Sequence, residues 1–150
     1  MSTLILILPP TLPGPHTSFG YLVSPDGHQI ERQGNAAPAL LPTPGRAGET
    51  VAVVPVQALS WQRVTLPQNL PLGNTPRLRA VLEGLLEDRL LDDPAQLHFA
   101  LQPGARAGEA AWVAVCDRAW LQQHLQLLEA AGRPVARVVP EFAPLADSTT

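Results

Sequence analysis

From Pro76 onward the apolar residues change their spacing, and that change limits the fold more than any other feature of the chain. Leu78, Val81, Leu82, Leu85, Leu86 and Leu90 recur at intervals of three and four, the stripe of an amphipathic helix. Thr75 is placed to cap this helix, with Pro76 at the first helical position, where a missing N–H costs nothing. Pro94 disfavours helical geometry in Asp93, so the helix is expected to end near Leu91. The apolar runs on either side are short and bounded by turn residues, which makes them strands and the chain α/β.

Strands are expected at about Thr3–Leu8, Phe19–Ser24 and His28–Gln33, the last two joined by a hairpin turn at Pro25-Asp26-Gly27. The segment from Gly34 to Pro38, followed by Pro42-Thr43-Pro44-Gly45, reads as loop or sheet edge, because proline cannot donate to a central ladder. It marks the first lobe boundary. Further strands are expected at Thr50–Val56, Trp61–Leu66, Leu97–Leu101 and Ala111–Cys116. Asp117 then caps a second helix, Arg118–Ala131, with Leu121, Leu125 and Leu128 along one side and Gly132 at its end. A last strand at Val135–Val139 completes a strand–helix–strand order, which suggests a crossover between parallel neighbours.

Composition excludes several chemistries. With 150 residues, 45% of them apolar, the chain can bury a core, and its net charge of −3 without any basic run offers no phosphate-tracking surface, so nucleic acid is not an expected partner. All ten basic residues are arginine, which removes a lysine Schiff base and a P-loop lysine. The single cysteine, Cys116, has no partner for an internal disulfide and lies in the apolar run after Trp112, so it reads as a small core residue. Leu4–Leu8 is too short to span a membrane and is stopped by Pro9-Pro10, so neither a transmembrane segment nor a signal peptide is expected.

Ionisable groups concentrate in Leu85–Leu101. At 100° per residue Glu83 and Glu87 fall opposite Leu78, Leu82 and Leu85, with Asp88 flanking them, so the acids should face solvent. A general acid or base needs a desolvated setting, which such a face lacks. Asp92 and Asp93 follow the helix C-terminus, where the macrodipole disfavours negative charge and only Arg89 is near to offset it. Glu83, Glu87, Asp88, Asp92 and Asp93 are therefore candidates for binding a partner, through a surface complementary to arginine. His98 should face away from Leu97 and Phe99 as a hydrogen-bonded structural residue, with no second His or Cys at ligand spacing, so no metal site is expected. His16 and His124 form no triad with Cys116, and Gly104–Gly108 reads as a turn. No catalytic residue, cofactor or metal ligand is assigned.

Taken in order, Val51-Ala52-Val53-Val54-Pro55, Val64-Thr65-Leu66-Pro67, Leu85-Leu86-Glu87-Asp88-Arg89-Leu90, Asp92-Asp93, Leu97-His98-Phe99-Ala100, Val113-Ala114-Val115-Cys116-Asp117-Arg118 and Pro140-Glu141 resemble the cytoplasmic domain of type II secretion system protein L. The stretch around Glu87-Asp88 and Leu97-His98-Phe99-Ala100 is the most specific part. The resemblance implies an RNase H-like, actin-like lobe, a mixed sheet with helices, formed by residues 1–49 and 102–150, and a small inserted β-β-α-β subdomain at 50–101. It implies a non-enzymatic scaffold on the cytoplasmic face of the bacterial inner membrane. Its partners would be the N-terminal domain of the secretion ATPase (protein E) and the platform proteins M and F, with room for a homodimer. It also implies a longer protein, with a second lobe, a transmembrane helix and a periplasmic domain, of which this chain would be a fragment. The alternative is an actin-like nucleotide-binding protein of the pilus-assembly protein M type. Against it stands the loop after the first strand, Pro9-Pro10-Thr11-Leu12-Pro13-Gly14-Pro15, which has no carboxylate to serve a phosphate site.

Overall fold

A computed structural model of the chain describes residues 2–26, 28–44, 48–142 and 144. It contains strands β1 (Thr3–Ile7), β2 (Phe19–Ser24), β3 (Arg32–Ala36), β4 (Glu49–Val54), β5 (Ser60–Thr65), β6 (Leu97–Leu101), β7 (Ala110–Asp117) and β8 (Arg137–Pro140), and helices α1 (Thr75–Leu86) and α2 (Arg118–Ala130). The chain divides into two units, one formed by the residues up to Ala58 with Trp120–Phe142, the other by Leu59–Ala119.

The first unit is a five-stranded mixed sheet in the order β3-β2-β1-β4-β8. β1 pairs antiparallel with β2, Leu4 opposite Val23, and parallel with β4, Leu4 beside Thr50. β4 in turn pairs parallel with β8. An antiparallel hairpin start followed by parallel additions is the RNase H-like arrangement expected. β1 lies at the centre because its alternating Leu4 and Leu6 are completely buried, and period-two burial fixes which face a strand offers to the core. α2 buries Trp120, Leu121, His124 and Leu128, one face of a 3.6-residue repeat. Gly132, at φ 80°, ends the helix. Its N–H donates to the Glu129 carbonyl at 3.0 Å and the Arg133 N–H to Leu128 at 2.8 Å, the paired bonds of a Schellman turn that needs a left-handed residue.

The second unit is an antiparallel sheet in the order β5-β7-β6 with α1 packed on it. Its core joins Val64, Leu66 and Leu70 to Leu82 and Leu86 of α1, Leu97 of β6, and Ala111, Val113 and Val115 of β7. β7 is central and is buried at Ala111 and at the four consecutive positions Val113–Cys116, with Trp112 half-buried between them, as the apolar run Ala111–Cys116 anticipates.

Four expectations change. The strand expected at His28–Gln33 is displaced to Arg32–Ala36: Asp26 Oδ1 accepts from the His28 and Gln29 N–H groups at 2.8 and 2.9 Å, and this side-chain turn takes the backbone away from the ladder. Gly27, at the centre of the expected turn, lies outside the described residues. Gly34, read as loop, is paired opposite Tyr21, where a Cβ would come within 3.0 Å of the tyrosine hydroxyl. Thr50–Val54, assigned to the insert, pairs in the first sheet, while Ala111–Cys116, assigned to the returning lobe, is the centre of the second. The local apolar pattern of a buried strand is the same in either sheet, so only pairing decides. For the same reason the terminal strand–helix–strand is no crossover within one sheet: β7 and β8 lie in different sheets, and the parallel neighbour of β8 is β4.

Candidate partner-binding surface

α1 starts one residue earlier than its sequence suggests. Asn74, not Thr75, is the cap, its Oδ1 accepting from the Arg77 N–H at 3.2 Å, with Pro76 in the first turn. The helix also stops at Leu86 instead of Leu91. A turn closed by the Arg89 N–H on the Leu86 carbonyl, 2.9 Å, carries the chain round so that Leu90 packs on the second core. Glu87 and Asp88 therefore lie on this turn, not on a helical face, and both are exposed. Arg89 donates to the Arg63 carbonyl. Leu91 points fully into solvent, and Leu85 is also exposed.

The five candidate carboxylates separate into two kinds. Glu83 pairs with Arg79 at 3.1 Å, and Arg79 Nη2 also donates to the Pro94 and Leu97 carbonyls, both at 2.9 Å, while its guanidinium stacks 4.9 Å from the Phe99 ring centre. That cluster ties α1 to the start of β6. Asp93 Oδ1 accepts from the Ala95 N–H at 3.0 Å and its carbonyl from Gln96 at 2.8 Å, capping the short turn Pro94–Gln96. Both acids hold the fold locally. Glu87, Asp88 and Asp92 are exposed and take part in no ion pair among the described residues, where Arg79–Glu83 and Arg137–Glu49 are the ion pairs present. Three exposed carboxylates close in sequence to an exposed leucine attract cations and offer one apolar contact, with no desolvated setting to do chemistry.

The other ionisable candidates fall elsewhere. His98 is exposed on β6, not held in the core, and packing on its inner side, then the Arg79 and Arg118 guanidiniums, disfavour its charged form. Cys116, opposite it in register, is buried, and that burial, with Asp117 adding to it, pushes the thiol up to about 11. Since the thiolate is the reactive species, Cys116 should resist an alkylating reagent at neutral pH and react once the chain is unfolded, a difference mass spectrometry reads directly. No cluster of His, Cys, Asp and Glu able to hold a metal is present among the described residues. No helix among them is long and apolar enough to cross a membrane. In the loop after β1, the Pro9 and Thr11 carbonyls receive the Trp120 indole N–H at 3.0 and 3.1 Å, and Thr11 also receives His124 Nε2 at 2.7 Å. The depth of His124 was legible in part: it falls between Leu121 and Leu128 on the apolar face of α2.

A family model for protein L of the type II secretion system matches residues 16–148. The chain belongs to the type II secretion system protein L family. Within that family it is similar to protein L of Vibrio cholerae serotype O1, 38% identical over 72 residues that make up 48% of this chain and 17% of the relative. The fold is similar to the solved cytoplasmic domain of EpsL, an inner membrane component of the type II secretion system of Vibrio cholerae, with a TM-score of 0.69 and 26% identity over 93% of this chain. The chain spans 57% of that domain. A weaker likeness to the PilM–PilN type IV pilus biogenesis complex has a TM-score of 0.49 at 16% identity. The family and the mixed-sheet fold expected from the sequence are thereby established.

Proposed function

We propose that this chain is a non-enzymatic assembly module of the type II secretion platform, placed at the cytoplasmic face of the inner membrane, and that it recruits the secretion ATPase, protein E, and links it to platform proteins such as M and F. The observation that carries the reading is the exposed set Glu87, Asp88 and Asp92, without an ion pair among the described residues, close in sequence to fully exposed Leu91. Carboxylates without an internal partner suit a basic surface, and a protruding leucine suits a small apolar pocket at its centre. Glu83 and Asp93, which serve the fold, contribute to this surface only indirectly. Co-migration of the purified chain with the N-terminal domain of the ATPase on size exclusion tests the reading. A joint peak at low salt is expected, and separate elution at every salt concentration would overturn it.

A further inference from the structure

His124 is completely buried, although it sits on a helix whose other inward residues are apolar. Its ring stands edge-on to Phe19 of β2, 5.6 Å between ring centres, and to Trp120 one turn earlier on α2, at 5.4 Å. A carbonyl can only accept, so the 2.7 Å contact with the Thr11 oxygen requires the proton on Nε2 and leaves the lone pair on Nδ1. No protein group lies within hydrogen-bonding reach of Nδ1 among the described residues. A second proton would therefore create a buried N–H without a protein acceptor and a positive charge between two aromatic rings. Among the described residues no carboxylate or guanidinium faces the ring from the loop, from β2 or from α2, and the titratable side chain of the loop itself, His16, is exposed.

The loop bonded to this ring is exposed along most of its length. Thr11, whose carbonyl accepts this hydrogen bond, is itself exposed, and it belongs to the Pro9–Ser18 loop, whose backbone is held to α2 by Trp120 and His124. Two depressions of about 380 and 400 Å³ border the loop, one lined by Pro13, Gly14, Gln123, Gln126 and Leu127, the other by the loop itself. The sheet behind is secured by full ladders on both sides of β1. We propose that His124 is a proton-sensitive latch: a second proton obliges the ring to reach water, and the Pro9–Ser18 loop, not the sheet, gives way. Loop and depressions are then remodelled together while β1 and β4 stay paired.

Burial holds the imidazole below its ordinary value, an effect the Thr11 carbonyl only partly opposes. The neutral ring's contribution is thus fully present above the unfolded value of about 6.5 and falls as the pH drops from there toward the depressed folded value, because the open form takes up the proton first. The test follows the Trp120 indole N–H by hydrogen exchange, beside the amides of Leu6 and Val53, while the His124 ring is titrated by NMR. The indole should lose tenfold or more of its protection on acidification, with the midpoint of the His124 titration, at a pH where Leu6 and Val53 remain protected. His124→Gln, which keeps a donor but cannot titrate, should abolish that dependence. An indole that stays protected while His124 titrates would overturn the latch. So would loss of Leu6 and Val53 protection at the same midpoint, or the same pH dependence in folded His124→Gln. If that variant does not fold, the wild-type comparison decides alone.

Discussion

Arg79→Ala is expected to destabilise the second unit by about 3 kcal/mol. Arg79 makes two charge-assisted bonds, to the Pro94 and Leu97 carbonyls, and each such bond contributes roughly 1.5–3 kcal/mol when its partner cannot be replaced. Its stacking on Phe99 adds about 0.5–1 kcal/mol. The pair with Glu83 adds only about 0.3 kcal/mol, because both side chains are partly exposed and the arginine precedes the acid. These terms are not additive, and water can reach the carbonyls once the arginine is gone, so the sum is discounted. Calorimetry should show a melting temperature lower by roughly 10 °C for a chain of this size. Arg79→Lys should recover a minor part, since an ammonium cannot bridge both carbonyls and stack on Phe99 in one geometry. An unchanged melting temperature for Arg79→Ala would mean that α1 and the start of β6 are held together by apolar contacts alone.

The second large effect concerns recognition. Reversing Glu87, Asp88 and Asp92 together to arginine should weaken ATPase binding about thirtyfold at low salt, a loss of roughly 2 kcal/mol, through slower association as well as weaker attachment. The same triple change should leave the melting temperature within about 1 °C, because none of the three carries an ion pair among the described residues and exposed substitutions of that kind shift stability little. Glu83 and Asp93 do not belong in that variant. Reversal of Glu83 sets two guanidiniums side by side, and loss of Asp93 removes the cap of the turn before β6, so either would confuse a folding defect with a binding defect.

The division between these two groups of acids shows where sequence reasoning reaches its end. The short apolar runs of β1 and β7, bounded by turn residues, announced strands, and the three–four spacing announced α1, because each depends only on neighbours along the chain. Which sheet a strand joins depends on a partner far away in sequence: Val51 is paired with Ile5 and Arg137, and no local pattern around Thr50–Val54 distinguishes that from pairing in the second sheet. The same limit applies to the candidate surface. Helical periodicity put the carboxylates outside, correctly for Glu87 and Asp88, yet it could not see that the helix ends before them, that Arg79 is committed to carbonyls fifteen and eighteen residues on, or that Asp93 closes a turn. Leu91, near which the helix is expected to end, is the most exposed leucine of the region, while the turn after Leu86 leaves the inward position to Leu90, as the stripe has it. His124 illustrates the reverse case, a titratable side chain placed among leucines by helical spacing, whose proton geometry only the fold reveals.

The measurement that bears most directly on the proposed role is a calorimetric titration of the ATPase's N-terminal domain into the chain and into the Glu87, Asp88, Asp92 charge-reversal variant, each at low salt and at about 0.15 M ionic strength. Saturable binding to the wild-type chain that weakens with salt, and a variant that has lost both the affinity and the salt dependence while melting normally, is the expected result. Equal affinity and equal salt dependence for the two proteins would remove this surface from ATPase recruitment.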